Sequence, residues 1–109
     1  MKSKKNPVKK TKGKKNITPK YILRLYIVGK TPNCLMALNN LKKICEENFP
    51  NDYRIEIIDL LQLPQLAKED QILAIPTVIR MLPQPIRKAI GDLSNEAEVL
   101  IGLDLHPTN

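Results

Sequence analysis

The chain has 109 residues, with 18 Lys and Arg against 11 Asp and Glu for a net charge of +7, and its 42 % hydrophobic content includes no Trp and one Phe. Eight lysines (Lys2, Lys4, Lys5, Lys9, Lys10, Lys12, Lys14 and Lys15) fall in the first 16 residues, which hold no acid, so the other 93 carry ten bases against eleven acids, net −1. A uniformly basic nucleic-acid-binding domain is therefore disfavoured, and two cysteines, Cys34 and Cys45, are too few for a disulfide-stapled secreted scaffold. Residues 1–16 are nearly free of apolar side chains and cannot offset the entropy of ordering, so a disordered arm is expected there and one domain over 17–109. The arm is read first as a solubilising or expression-related tail and second as an electrostatic tether to nucleic acid or an acidic partner, and nucleic acid, if bound at all, is expected to bind only through it. The first apolar run, Tyr21 to Val28, is cut by Arg24 and ended by Gly29, too short for a signal core or a membrane span; a soluble cytoplasmic protein is expected.

Tyr21 to Val28 reads as a central strand covered on both faces. Thr31 and Pro32 then open a helix as N-cap and first helical residue, and Pro50 stops it. Its inward stripe is Cys34, Leu38, Leu41 and Cys45, widened by Leu35 and Ile44. Tyr53 to Leu60 is a second strand, completing a right-handed βαβ unit. A short helical stretch runs from Pro64 towards Ile72, a strand from Ala74 to Leu82, and a further segment from Ile86 to Ile90. A turn at Gly91 and Asp92 precedes a last helix capped by Ser94 or Asn95. The order βαβαββα is thioredoxin-like. With few aromatic residues, the interior is expected to consist of Leu, Ile and Val.

Two segments resist assignment. Ile86 to Ile90 places helix formers between β-branched ends. Val99 to Leu105 continues the last helix or, by its alternation of Val99, Ile101, Leu103 and Leu105, forms a strand, and Gly102 weakens both. Local preference here does not choose one fold; it permits two packings in principle, but on propensity alone a single fixed fold is the favoured reading.

A thioredoxin-like enzyme sets its attacking thiol at the N-terminus of the first helix. Here that stretch is Thr31, Pro32, Asn33 and Cys34, which resembles the Cys-Pro-x-Cys of glutaredoxins with threonine in the attacking position. Pro76, within Ile75-Pro76-Thr77, resembles the cis-proline that faces the thiols in such enzymes. Cys45 lies 11 residues along the helix from Cys34, about 16 Å at 1.5 Å per residue, beyond disulfide reach. Both cysteines read as core residues; a thiol oxidoreductase or redox sensor using Cys34 is the alternative. No catalytic residue, metal ligand or cofactor is expected, and His106 is assigned no role.

Several ordered stretches carry a specific resemblance: Tyr21 to Val28, Gly29 to Asn33, Ile58 to Asp59, Pro64 to Asp70, Ile72 to Thr77, Ile90 to Asn95 and Val99 to Leu105. Over Tyr21 to Leu105 the chain is identified as a member of the KaiB family of circadian clock proteins. The resemblance implies a non-enzymatic regulator that binds a KaiC-type hexameric ATPase, with thioredoxin-like sensor-kinase domains and KaiA as further family partners. It also implies a homo-oligomer, dimer or tetramer, in a ground-state fold of order βαββααβ, exchanging with a thioredoxin-like monomer through the C-terminal half. Gly102 and Asp104 match the residues that favour the ground state. The second strand docks KaiA in clock members; it carries Arg54 and Glu56 here in place of a small residue and a lysine, and Glu56 is expected to repel an acidic partner, so KaiA is not an expected partner. With the basic arm added, the resemblance points outside the core cyanobacterial clock, to a KaiB and KaiC pair in stress or signalling.

Overall fold

The computed structural model describes residues 9–11 and 18–107. Its elements run β1 (Lys9–Thr11), β2 (Tyr21–Ile27), α1 (Pro32–Asn48), β3 (Tyr53–Asp59), α2 (Gln65–Glu69), β4 (Thr77–Leu82), β5 (Arg87–Ile90) and α3 (Glu96–Gly102). One sheet holds all five strands in the order β1-β3-β2-β4-β5. β2 pairs parallel with β3 from Tyr21 opposite Tyr53 to Ile27 opposite Asp59, and antiparallel with β4. From Tyr21 onward this is the thioredoxin-like βαβαββα order. Of the arm expected to be disordered, only 9–11 lie among the described residues; they form β1, antiparallel to β3, because backbone pairing needs no apolar side chain. The rest of that expectation lies outside the described residues.

β2 is central because it can be buried on both faces. Tyr21, Leu23 and Leu25 enter one core with α1 and α3, while Tyr26 enters a second with Ile58, Ile72 and Ile79 near α2. α1 begins as its residues dictate: Thr31 Oγ1 accepts from the Cys34 N–H at 3.3 Å, and Pro32 occupies the first turn where no N–H is needed. Its buried stripe is Cys34, Ala37, Leu41, Ile44 and Cys45. Leu38 is half-buried and Leu35 is 44 % exposed, which corrects the expected stripe. The helix is rolled so that the small Ala37 meets the sheet closely, and Leu35, one step of about 100° from Cys34, is turned outward.

The interior also differs from expectation. All four aromatic residues, Tyr21, Tyr26, Phe49 and Tyr53, are at most 1 % exposed. Phe49, the C-cap of α1, stacks 4.5 Å from Tyr21 and meets Tyr53 edge-on at 6.3 Å, plugging the core end that the aliphatic residues leave open.

α2 stops at Glu69, short of Ile72, because Gln71 takes a left-handed φ of +57°. β4 begins at Thr77, after the cis Ile75–Pro76 bond, since proline has no N–H for the ladder; Leu82–Pro83 and Gln84–Pro85 are also cis. Val99 to Gly102 completes α3, and Val99 and Leu103, four apart, both turn inward while Ile101 is 78 % exposed. Helical spacing therefore prevails over the alternating pattern. The helix ends with Asp104 N–H bonded to Ile101 O and Leu105 N–H to Leu100 O, a Schellman closure with Asp104 at φ +52°.

Candidate functional site

The ends of β2 and β3 nearest the N-terminus of α1 gather the residues that the sequence singled out. Asp59, the last residue of β3, accepts from the N–H of Gly29 at 3.1 Å and of Leu61 at 3.0 Å with the same carboxylate oxygen. Gly29 takes φ +65°, and a Cβ there would lie 3.2 Å from Leu61 Cδ1. Turn and loop are thus fixed together, and they hold Leu61 out at 66 % exposure. Across the same end, Leu73 is 93 % exposed. Leu61 and Leu73 flank an open pocket of about 430 Å³ floored by Leu60, Ile72 and Ile75. A second pocket of about 430 Å³, lined by Thr31, Pro32, Asn33 and Cys34, shares Val28 and Ile75 with the first. Sequence reasoning missed Asp59, Leu61 and Leu73 as site residues. The available signal was a carboxylate ending a strand just before an apolar pair, Leu60 and Leu61.

The four residues of the degenerate thiol stretch are brought together with Ile75, next to Pro76, with threonine in the attacking position and the one thiol, Cys34, buried. Thr31, in the attacking position, uses its hydroxyl to cap α1. Cys34 is 2 % exposed and Cys45 fully buried, and both are free thiols. Burial, with a smaller contribution from Glu46, pushes the Cys45 thiol far above its ordinary range, so it carries no thiolate at neutral pH. Among the described residues, no group of three or more His, Cys, Asp and Glu is placed to hold a metal ion.

Arg54 and Glu56 lie away from this end, at mid-strand in β3. Glu56 is only 8 % exposed and accepts from Arg24 Nη2 at 3.0 Å and Nε at 3.2 Å, while Arg54 Nη2 lies 3.3 Å from its other oxygen. The expected repulsion of an acidic partner assumed a bare carboxylate. Two guanidinium groups surround this one, and the cluster is net positive. Arg24, which the sequence reading did not single out, supplies the difference.

Gly102 and Asp104 sit at the end of α3. Gly102 is in the last helical turn, exposed, and a Cβ there would have nothing within 4 Å. Asp104 lies 3.8 Å from Arg80 Nη1, and its other oxygen is 2.9 Å from His106 Nε2, which gives His106 a contact. Arg80 is a second residue missed from sequence. It is 2 % exposed and donates to Leu103 O at 3.0 Å, Asp104 O at 2.9 Å and Pro85 O at 2.7 Å, tying β4 to the end of α3. An arginine in an apolar strand is the only signal for it.

Geometry and comparison define the class as a thioredoxin-like domain without a thiol pair. The oxidised mitochondrial thioredoxin 3 of Saccharomyces cerevisiae superposes with a TM-score of 0.62 at 23 % identity, covering 79 % of this chain and 78 % of that one. The N-terminal domain of Synechococcus elongatus SasA does so with a TM-score of 0.63 at 16 % identity, covering 84 % and 88 %. These likenesses speak for the fold alone. Residues 24–105 match the KaiB domain, and the chain belongs to the KaiB family. The circadian clock oscillator protein KaiB of Prochlorococcus marinus subsp. pastoris is 56 % identical over 85 residues, 78 % of this chain and 79 % of the relative. That of Trichodesmium erythraeum is 51 % identical over 100 residues, 92 % and 88 %. Among the described residues no helix is long and apolar enough to cross a membrane.

Proposed function

We propose that this protein is a regulator that acts by binding a KaiC-type hexameric ATPase, and that the apolar surface around Leu61 and Leu73 is where it docks. The observation that carries this reading is the presentation of two exposed leucines on a loop pinned by Asp59, beside a thioredoxin-type end whose attacking position is spent on a helix cap. Large exposed apolar side chains over a shallow pocket are what a desolvated interface needs, and the position from which thiol chemistry would attack holds a threonine. A sensor kinase with a thioredoxin-like domain fits as a competitor for the same ATPase surface. The protein is read as cytoplasmic and as serving either the clock or a related signalling output.

The same reading includes a second packing of the C-terminal half, the oligomeric βαββααβ form, with the thioredoxin-like form as the binder. Support comes from the end of α3: the glycine sits inside the helix, where it is unfavourable, and the left-handed position two residues later holds an aspartate. Local sequence and this packing disagree there by two residues.

The test is binding to a purified KaiC-type ATPase by interferometry. Leu73→Glu is expected to weaken binding at least tenfold, whereas Cys34→Ser leaves it unchanged and neither protein turns over insulin disulfides. Undiminished binding by Leu73→Glu, or disulfide reduction lost on Cys34→Ser, overturns the proposal.

A further inference from the structure

Leu73 is 93 % exposed, yet both of its neighbours are fixed. Ile72 is buried in the core beneath α2, and the Ala74 carbonyl accepts from the Thr77 hydroxyl at 2.6 Å. Just upstream, α2 ends in a Schellman closure: the Gln71 N–H donates to Lys68 O at 3.1 Å and the Ile72 N–H to Ala67 O at 2.8 Å, with Gln71 at φ +57°. Asp70, the C-cap, accepts from the Tyr26 hydroxyl at 2.6 Å, which ties this corner to the central strand. We propose that Tyr26 and Asp70 are positioning residues, a strut that fixes the corner from Asp70 to Ile72 and thereby holds Leu73 in place before the ATPase arrives.

The local sequence does not favour this corner. A carboxylate at a helix C-terminus meets the negative end of the helix dipole, and a left-handed φ suits glycine or asparagine better than glutamine. Two successive residues thus sit against their preferences, and tertiary bonds compensate. Tyr26 is 1 % exposed and packs with Ile58, Ile72 and Ile79, which makes β2 a fixed anchor for its hydroxyl. At neutral pH a phenol donates and a carboxylate only accepts, so the bond is charge-assisted, and its 2.6 Å length belongs to the strong class. Lys88 Nζ adds an exposed tie to Gln71 O at 3.3 Å. Local conflict resolved by tertiary bonds is expected where geometry serves a site.

The consequence is for binding. A leucine on an ordered loop loses less freedom on contact than one on a mobile loop, so the strut raises affinity without touching the partner. Asp59 acts in the same way on Leu61, accepting from the Gly29 and Leu61 N–H groups, so each of the two exposed leucines has its own aspartate. The role of the strut rests on the reading of Leu73 as a docking residue, and the experiment separates the two.

Binding of the full chain to a purified KaiC-type ATPase is measured by interferometry, and hydrogen exchange of the Asp70, Gln71 and Ile72 amides is measured in the free protein. Tyr26→Phe and Asp70→Ala are each expected to weaken binding about fivefold and to speed exchange of those amides about tenfold, with the α1 amides unaffected. Asp70→Asn keeps an oxygen acceptor for the phenol and should recover most of the binding that Asp70→Ala loses. The leucine itself supplies the sharpest comparison. In a Leu73→Ala background, Tyr26→Phe should cost no further affinity, because the residue it positions is gone. Losses that multiply, as they would if Tyr26 acted through global stability, overturn the proposal, and so does unaltered exchange of the three amides in Tyr26→Phe. Wild-type binding by Leu73→Ala, with exchange still faster in Tyr26→Phe, overturns the docking reading, and the positioning role falls with it.

Discussion

From Tyr21 to Asp59 the chain is a strand, a 17-residue helix and a parallel strand, and its two non-helical turns with positive φ fall on Gly29 and Asn51, residues suited to that geometry. From Ile72 onward the strands are shorter, α3 has seven residues, and positive φ is carried by Leu93 and Asp104 as well as Gly91. The first region is held by an apolar interior in which Leu23, Leu25, Leu41 and Ile55 are fully buried. The second depends on a buried arginine to satisfy carbonyls that its own backbone leaves open. Local preference and packing agree in one region and conflict in the other, and such a conflict is the condition under which the second packing proposed for that half would lie within a few kcal/mol.

The largest expected effect separates global from regional stability. Leu41→Ala removes a fully buried side chain between α1 and the sheet and should cost about 3 kcal/mol, lowering the denaturant midpoint of the whole domain. Arg80→Met keeps the bulk of the side chain but orphans the carbonyls of Pro85, Leu103 and Asp104, at about 2 kcal/mol. Its effect should appear by hydrogen exchange in residues 93–105 and leave α1 protected. Uniform loss of protection in both regions would erase the contrast between them.

Single variants at the end of α3 sharpen the comparison further. Gly102→Ala should favour the thioredoxin-like packing by about 0.5–1 kcal/mol, because helix propensity rises and the added methyl meets nothing. Asp104→Arg should by itself disfavour this packing by a few tenths to about 1 kcal/mol, since it exchanges the ion pair at 3.8 Å for a like charge beside Arg80. If the double variant nonetheless shifts the protein to a monomer that binds the ATPase faster, Asp104 must be worth more in the other packing. Identical oligomeric state and association rate in all three variants would remove the case for two packings.

The smallest effect is confined to alkaline pH. Burial, and then the 2.6 Å hydrogen bond to Asp70, push the Tyr26 hydroxyl up to about 12. The unfolded tyrosine ionises near pH 10, so the folded state holds this proton more tightly. The stabilisation is complete below pH 10 and is lost as pH rises through 12. Thermal midpoints should therefore fall more between pH 9 and 11.5 for the wild type than for Tyr26→Phe; equal falls would show that Tyr26 does not contribute.

The βαβ unit was legible because its signals are local: Thr31 and Pro32 start a helix, Pro50 stops it, and the strands are apolar runs of the right length. The end of α3 was not, because its helix is held by tertiary contacts: Val99 and Leu103 pack into the core, and Arg80, more than twenty residues away in sequence, binds main-chain oxygens that no pattern marks. For the site, the loss of the attacking thiol could be read directly at Thr31. The exposure of Leu61 and Leu73 could not, since an apolar residue does not announce which face it will take, and the bonds from Asp59 that decide it are set by loop geometry.

The aromatic plug has a consequence for optical measurement. The chain has no tryptophan, and its three tyrosines, Tyr21, Tyr26 and Tyr53, all lie in β2 and β3. Both Tyr21 and Tyr26 also face the second region, the Tyr21 hydroxyl accepting from the His106 N–H at 2.9 Å and Tyr26 packing with Ile72 and Ile79, so intrinsic emission reports on the first region and on its seam with the second. A rearrangement of β4, β5 and α3 that leaves the β2–β3 pair in place will therefore change tyrosine emission only through the surroundings of Tyr21 and Tyr26, while a tryptophan introduced at exposed Ile101 would register it from within α3. Paired with the native tyrosines, that single probe would let one emission scan resolve whether the two regions melt together or in sequence.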